Sequence, residues 1–534
     1  MLSSSPTATP ALSSLLLAGL LGLTPALAAQ ESESHKLLPG DGAAGDLFGS
    51  AVATDGALVA IGAPAADDSG VASGAAYVFG AQSGVQQLEL LPSDGAPGDQ
   101  FGASIAVDGA HVVVGAPLAD AGGPDSGAAY VFDSSTGLQV SKLQPADAAA
   151  GYQFGSAVAL DGGLVAVGAR GGAYLFDAAT GQELEQLVPA GGPPVGGSGV
   201  AVIDGGFGLA VDVGADRVVV GARTANGSSL YSGAAYLFDT GGNELHKLNG
   251  GPAWSHFGGS VGIDGDTVVI GARYASPNGK DSGAAYLFDA FTGQQTKTLV
   301  PNDGHTFAEF GSSVGVDGQH VVVGAEQDNA GGFSAGAAYL YGAQSGDPVV
   351  KLGVSDGAPL DDLGGAVAVG GGVLVAGAAR DDDLGDASGA AYVFDAAGTA
   401  TAMAECFGND GTLTQVGGIP VAGQTLVYRV DGAQPGATQA LLLVSGAPAP
   451  GWPACGVDLG GAGELLVDLA PASQLFTAAA PWAGSPVDFP VAVPPLSGLV
   501  GFHFYVQGAF LAPFSPLEPV RLTHGLEVVL GGYL

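Results

Sequence analysis

The feature that most constrains this chain is a phrase repeated at fixed spacing. Residues Phe101 to Ala116 read F-G-A-S-I-A-V-D-G-A-H-V-V-V-G-A, and the opening Phe recurs at Phe48, Phe154, Phe207, Phe257 and Phe310, with Leu363 in its place in a seventh copy. The steps are 53, 53, 53, 50, 53 and 53 residues. Fourteen residues after each start comes the glycine of a V-G-A or similar ending, at Gly62, Gly115, Gly168, Gly221, Gly271, Gly324 and Gly377. A period near fifty that holds over seven units requires a repeat architecture, in which each unit is one supersecondary element that buries its faces against its neighbours.

Each unit predicts four short strands. Ser104 to Val107 and its equivalents alternate small residues, as the innermost strand of a propeller blade must where blades converge on an axis. Asp-Gly follows at Asp55, Asp108, Asp161, Asp264 and Asp317, which predicts a type I′ hairpin with positive φ at both central residues. The second strand is the uniformly apolar run Val112–Val114 or Val321–Val323, buried on both faces. The third carries Tyr77, Tyr130, Tyr174, Tyr236, Tyr286, Tyr339 or Tyr392, and the outer one Leu90, Leu143, Leu187, Leu248, Leu299 or Leu352. No outer strand follows the seventh unit. Ser34-His-Lys-Leu37 has the outer-strand spacing ahead of Phe48, so residues 31–38 are expected to close the last blade and leave no exposed edge.

These residues resemble the FG-GAP repeat of integrin α-chain propellers, especially its bacterial form, over roughly residues 31 to 397; Asp94 to Pro117 carries the pattern most fully. The resemblance implies a seven-bladed β-propeller used extracellularly for adhesion or ligand binding. Many members hold Ca²⁺ in an acidic loop between strands one and two. Here that turn offers a single Asp, far short of the six to eight oxygens the ion takes, so calcium at these hairpins is not expected.

Function is sought where one unit departs from the others. In the third unit Gly168 and Tyr174 are 6 residues apart where every other unit has 15, and Tyr174 to Phe207 spans 33. The short loop predicts a notch with the long loop, Pro189 to Gly206, beside it. Arg170, Arg223 and Arg273 share the position after G-A, and are the candidate ligand-binding residues, able to hold a carboxylate or sulfate bidentately. The alternative is that each pairs with a nearby Asp. The acidic sector of units seven and one gives the candidate cation ligands Asp361, Asp362, Asp381 and Asp383, with Asp382, Asp386, Asp41, Asp46, Asp67 and Asp68 around them; a merely solvated surface explains them too. No cofactor is called for, calcium being the one candidate. His111 and His320 share a repeat position and read as structural, and no H-E-x-x-H motif is present.

A net charge of −38 repels nucleic acid and anionic lipid. Leu12 to Leu23 followed by Ala26-Leu-Ala28 predicts a signal peptide over 1–28, although its start lacks Lys and Arg, and no later stretch is long enough to span a bilayer. Export makes a disulfide between Cys406 and Cys455 the expectation. After Asp395 the phase is lost; short apolar runs between Pro-rich turns predict a β-sandwich over 399–534, following a propeller over 29–398. The expected function is that of a secreted or surface-bound, non-enzymatic, monomeric protein that binds an extracellular glycan or protein, with an anionic ligand accommodated at the arginines. A hydrolase or lyase acting on acidic polysaccharide, and a purely structural repeat protein, are the alternatives.

Overall fold

The computed structural model describes residues 33–190 and 205–395, apart from 215, 330 and 347, and beyond them only the backbone of strands at Gln30–Glu31 and between 399 and 529. The predicted signal peptide, most of the long loop after Pro189, and Cys406 and Cys455 lie outside the described residues. In the C-terminal region strands such as Gln439–Ser445 and His503–Leu511 form sheets of five, three and two strands.

Residues 35–395 form seven antiparallel four-stranded sheets, one per repeat, and the fold is all-β: a seven-bladed propeller. Blade two is typical, with Ser104–Asp108, His111–Ala116, Ala128–Asp133 and Gln139–Leu143 running from axis to rim. The outer strand of blade seven is His35–Leu37, paired antiparallel with Val393–Ala391. Just ahead of it, Gln30–Glu31 adds a parallel fifth strand to blade six, against Lys351 and Leu352. The N-terminal segment thus staples two blades.

The core lies between blades rather than at the axis. One buried cluster joins Val78 and Leu90 of blade one to Phe101, Val114, Tyr130 and Phe132 of blade two. The repeat Phe is buried there and meets Tyr130 and Phe132 edge to face, at centroid distances of 5.6 and 5.8 Å. The glycines of the repeat are explained by how close the blades come. A Cβ on Gly115 would stand 2.0 Å from the carbonyl oxygen of Gly155 in the next blade, and the same contact recurs at all seven junctions, Gly377 against Gly49 closing the ring.

The hairpins differ from the expected geometry by one position. Asp108 and His111 form the last rung of the ladder, so the loop residues are Gly109 and Ala110, and of these only the glycine has positive φ. Both loop residues are left-handed only where both are glycine, at Gly162–Gly163 and Gly371–Gly372. The aspartate is left outside the turn, where Asp108 Oδ2 accepts the Gly162 N–H of the next blade at 2.8 Å.

Close approach and φ can be separated by experiment. Gly115→Ala should cost about 3 kcal/mol or more, because backbone cannot yield to the new methyl. Gly109→Ala, left-handed but open to solvent, should cost only about 1–2 kcal/mol. Urea midpoints of the two variants check this, and equal losses would refute the blade-contact account.

Candidate ligand-binding face

The connections between strands two and three, and from each outer strand to the next blade, meet on one face of the propeller. At five junctions they are joined by the same backbone hydrogen bond: Gly45 N–H donates to Asp386 O at 2.9 Å, Gly98 to Val71 at 2.9 Å, Gly151 to Pro124 at 2.8 Å, Phe307 to Lys280 at 2.8 Å and Leu360 to Phe333 at 3.0 Å. The donor at this joint, three positions before the repeat Phe, is left-handed, and so is Trp254 at the same position of blade five. Blades one, two and three place glycine there, at Gly45, Gly98 and Gly151; blades five, six and seven place Trp254, Phe307 and Leu360, with φ of 65, 66 and 77°. Left-handed backbone costs an L-residue about 1–2 kcal/mol, which glycine avoids. All three side chains are exposed by half or more, and Leu230 and Phe333 stand beside them on the neighbouring loops, equally bare. Trp254 stacks on Tyr231 with ring centroids 4.5 Å apart, and Lys280 Nζ lies 5.0 Å above the Phe307 ring. Three successive junctions therefore hold an aromatic ring to solvent while the junctions ahead of blades one, two and three are bare glycine.

The sequence-predicted arginines are distributed differently from a single cluster. Arg170 is exposed on blade three, where the connection shortens to Arg170–Gly171. Tyr152 stands against the short connection, beside Gly172, with its hydroxyl 2.6 Å from that of Tyr174. Arg223 and Arg273 flank His256. Arg273 Nη1 lies 3.3 Å from Glu326 and 3.8 Å from Glu309, both in blade six, rather than beside an Asp of its own blade. Burial, with the adjacent Glu326 adding to it against the pull of Arg273, pushes the Glu309 carboxyl up to about 7.

The predicted cation ligands do not converge as a set. Asp381 and Asp383 hold Lys36 at 2.9 and 2.6 Å, joined by Asp356 at 2.7 Å. Asp362 faces Arg380 at 3.2 Å, and Asp361 accepts the Ala358 N–H. The lysine cage is itself a repeat feature that sequence reading missed. Lys351 sits between Asp303 and Asp328 at 2.8 and 3.0 Å, Lys142 meets Asp94 at 2.6 Å, and each ammonium lies 4.8–5.2 Å from the ring of the repeat tyrosine. In blade one the lysine position is Glu89. Its carboxylate comes within 4.8 Å of those of Asp41 and Asp68, the one group among the described residues arranged so that three carboxylates could meet a metal ion. Burial and these mutual charges raise the Asp68 and Glu89 carboxyls.

A second omission lies on the axis. The inner strands enclose a channel with a cavity of about 430 Å³, lined near the hairpins by Asp55, Asp108, Asp161, Asp264 and Asp317. Five residues after the repeat Phe every other blade has Ala or Gly, at Ala53, Ala106, Ala159, Gly262, Gly315 and Ala368; blade four alone has Asp212. Its Oδ2 accepts the Ile263 N–H at 2.7 Å, satisfying the open edge of the blade five strand. Burial, reinforced by Asp161 and Asp264, pushes its carboxyl up to about 7.

The sequence profile of the FG-GAP repeat matches residues 32–79, 85–132, 138–181, 249–288, 294–341 and 348–394, just over half of the chain. The chain belongs to the FG-GAP repeat family. The unmatched stretch, 182–248, contains the irregular connection and the Asp212 blade. No curated protein matches the sequence. Among solved structures, a similar one is "KlHsv2 with loop 6CD replaced by a Gly-Ser linker", at 9% identity and a TM-score of 0.39, covering 62% of this chain and 88% of that one. Within this FG-GAP propeller no described helix is long and apolar enough to cross a membrane.

Two substitutions test these electrostatic assignments. A carboxyl whose folded pKa is raised makes folding increasingly favourable as pH falls from about 7 toward its unfolded value near 4. Asp212→Asn, which keeps the acceptor for Ile263, should therefore be more stable than the parent at pH 8, with the gap closing by about pH 4. Thermal unfolding across that range checks it; a constant gap would refute the assignment. Glu89→Lys should rebuild in blade one the cage of blades two, six and seven, raising stability by about 0.5–1 kcal/mol in urea titrations with EDTA present.

Proposed function

We propose that this FG-GAP propeller is a non-enzymatic binding protein, exported by the segment over 1–28, and that it binds a glycan outside the cell. The observation that carries the reading is the series Trp254, Phe307 and Leu360. The position is left-handed in six blades, three fill it with glycine, and three others bear the cost of a left-handed L-residue while holding a large apolar side chain out into solvent. Strain kept at a surface position where packing gains little belongs to function rather than to folding.

The arrangement favours a saccharide over a protein partner. The rings stand one per blade junction, at Tyr231 with Trp254, at Phe307 and at Phe333, separated by polar loop backbone. Isolated ring faces repeated at the blade period suit the apolar faces of successive sugar rings in a polymer. A protein interface instead needs about 800 Å² of continuous, well-packed surface on each partner. The Lys280 ammonium over Phe307 and the indole N–H of Trp254 add hydrogen-bond donors beside the rings.

The test replaces all three residues by glycine, as found in the sister blades. The triple variant Trp254→Gly, Phe307→Gly, Leu360→Gly should keep its melting temperature or gain in it, since left-handed strain is relieved. It should lose binding to a panel of soluble polysaccharides, neutral (dextran, laminarin) and acidic (polygalacturonate, dextran sulfate), measured by affinity electrophoresis against the parent. Undiminished binding by the variant, or a parent that retains none of the polymers, would overturn the reading.

A further inference from the structure

Five residues before the repeat Phe, or the Leu363 that stands for it, blades one, two, three and seven carry alanine and blade five proline, whereas blade six carries His305. In blades one, two and seven the backbone N–H of that alanine donates to an aspartate three residues on, Ala43 to Asp46 at 2.7 Å, Ala96 to Asp99 at 2.9 Å and Ala358 to Asp361 at 2.6 Å. Blade six has Ala308 where those blades have the aspartate, so no carboxylate closes its turn. An imidazole stands at the head of the connection instead.

This ring ties two connections together. Its Nδ1 lies 3.0 Å from the carbonyl oxygen of Thr306, and its Nε2 accepts the backbone N–H of Asn329, in the strand two to three connection of the same blade, at 3.2 Å. A carbonyl can only accept and a backbone N–H can only donate, so both contacts are met by the neutral ring with its proton on Nδ1. A second tie lies further in, where Gln327 N–H donates to Ala308 O at 3.3 Å, as Ala65 does to Asp46 and Leu118 to Asp99. The inner tie belongs to the repeat, whereas the outer one is made by a titratable side chain. Each of the two connections bears an exposed ring: Phe307 two residues beyond His305, and Phe333 on the loop where Asn329 Oδ1 accepts the Ser334 N–H at 2.9 Å.

We infer that His305 is a proton-sensitive joint between the connections that carry Phe307 and Phe333, closed while the imidazole is neutral and released when it is charged. A protonated ring has a donor at both nitrogens, so Nε2 then meets the Asn329 N–H donor to donor. The charged groups around the ring favour the release. Asp328 Oδ2 lies 3.7 Å from Nε2 and draws the imidazolium toward itself. Behind Asp328 stand the Lys351 ammonium at 3.0 Å and the Tyr339 hydroxyl at 2.9 Å, both also in contact with Asp303, and on the blade five side Lys280 pairs with Asp281 at 3.7 Å. Asn329 is exposed, so water takes up the N–H that His305 lets go. The inner tie is backbone to backbone and does not titrate. Acid therefore loosens the outer part of the loop and leaves the blade intact, and the inference stands whatever the two rings bind.

Hydrogen exchange followed by mass spectrometry on the full chain tests the joint at pH 7.5 and pH 5.5, across the range in which imidazoles ordinarily change charge. Rates are corrected for the intrinsic pH dependence of amide exchange, and the matching connection of blade two, residues 118–127, serves as the internal reference. Protection of the Asn329 amide, resolved from overlapping peptides across 326–336, should fall about tenfold or more on acidification, as expected for a local opening, while the reference connection keeps its protection. His305→Gln offers Asn329 an acceptor but takes up no proton, and it should hold the same protection at both pH values. Equal protection of Asn329 at the two pH values in the parent overturns the inference without any variant. An equal loss in His305→Gln also overturns it, because the titrating group then lies elsewhere. A loss shared by the reference connection does so too, because the loosening then belongs to the whole propeller.

Discussion

Everything in this propeller depends on two stretches of backbone approaching more closely than any side chain permits. The Gly of each G-A ending lies against the carbonyl of the FG glycine in the following blade, near 2 Å from where its own Cβ would be. The FG glycine in turn donates to the carbonyl of its own blade's G-A glycine, as Gly102 does to Gly115 at 3.0 Å. Strand two of one blade and the entry to the next are thus fixed at one separation, repeated seven times. The radius of the ring, the depth at which the repeat Phe is buried, and the register of the loops on the connection face all follow from that separation. The motif reads as sequence conservation within the chain because it is a steric requirement at every junction.

With the scaffold set by glycine, the side chains are free to differ from blade to blade, and the differences are mostly electrostatic. Lys36, Lys142, Lys247 and Lys351 each sit over the repeat tyrosine of their blade, at 4.8–5.4 Å from the ring centroid. Three of them, Lys36, Lys142 and Lys351, also tie their outer strands to aspartates of neighbouring connections. Blade one forgoes the arrangement and brings three carboxylates together instead. Around the upper rim charges of opposite sign meet across the junctions, Arg273 against Glu309 and Glu326, and Arg380 against Asp362.

Fold was legible in the sequence because a period of 53 leaves few solutions and because strand four of the last blade could be found by its spacing from Phe48. The candidate site was legible only in part: arginine stood out by scarcity, but spacing gave no hint that Arg273 faces Glu309 and Glu326 of the next blade. Trp254, Phe307 and Leu360 were hidden because a large residue in a loop is unremarkable until the glycine of its sister blades shows which φ the position demands. Aligning the seven units column by column would have exposed them, and Asp212 among alanines and glycines with them. The lysine cages escaped for another reason: their aspartates come from two different connections, and only the fold brings these together. Loop length alone did not show that Tyr152 would stand against the shortened connection, since a missing loop uncovers space that neighbouring side chains can enter.

The N-terminal strand that completes blade seven has a consequence for how the molecule comes into being. Ser34 donates its backbone N–H to Val393, 359 residues away. A ribosome adding about 5–20 residues per second needs tens of seconds to cover that distance. For all of that time the first strand made has nowhere to go, and the growing arc has two unlike open ends. Closure is then a single late event that joins the oldest and newest parts of the ring, burying Leu37 and seating Lys36 among three aspartates at one stroke. Such a seam distinguishes unfinished or truncated chains from complete ones by their open edges.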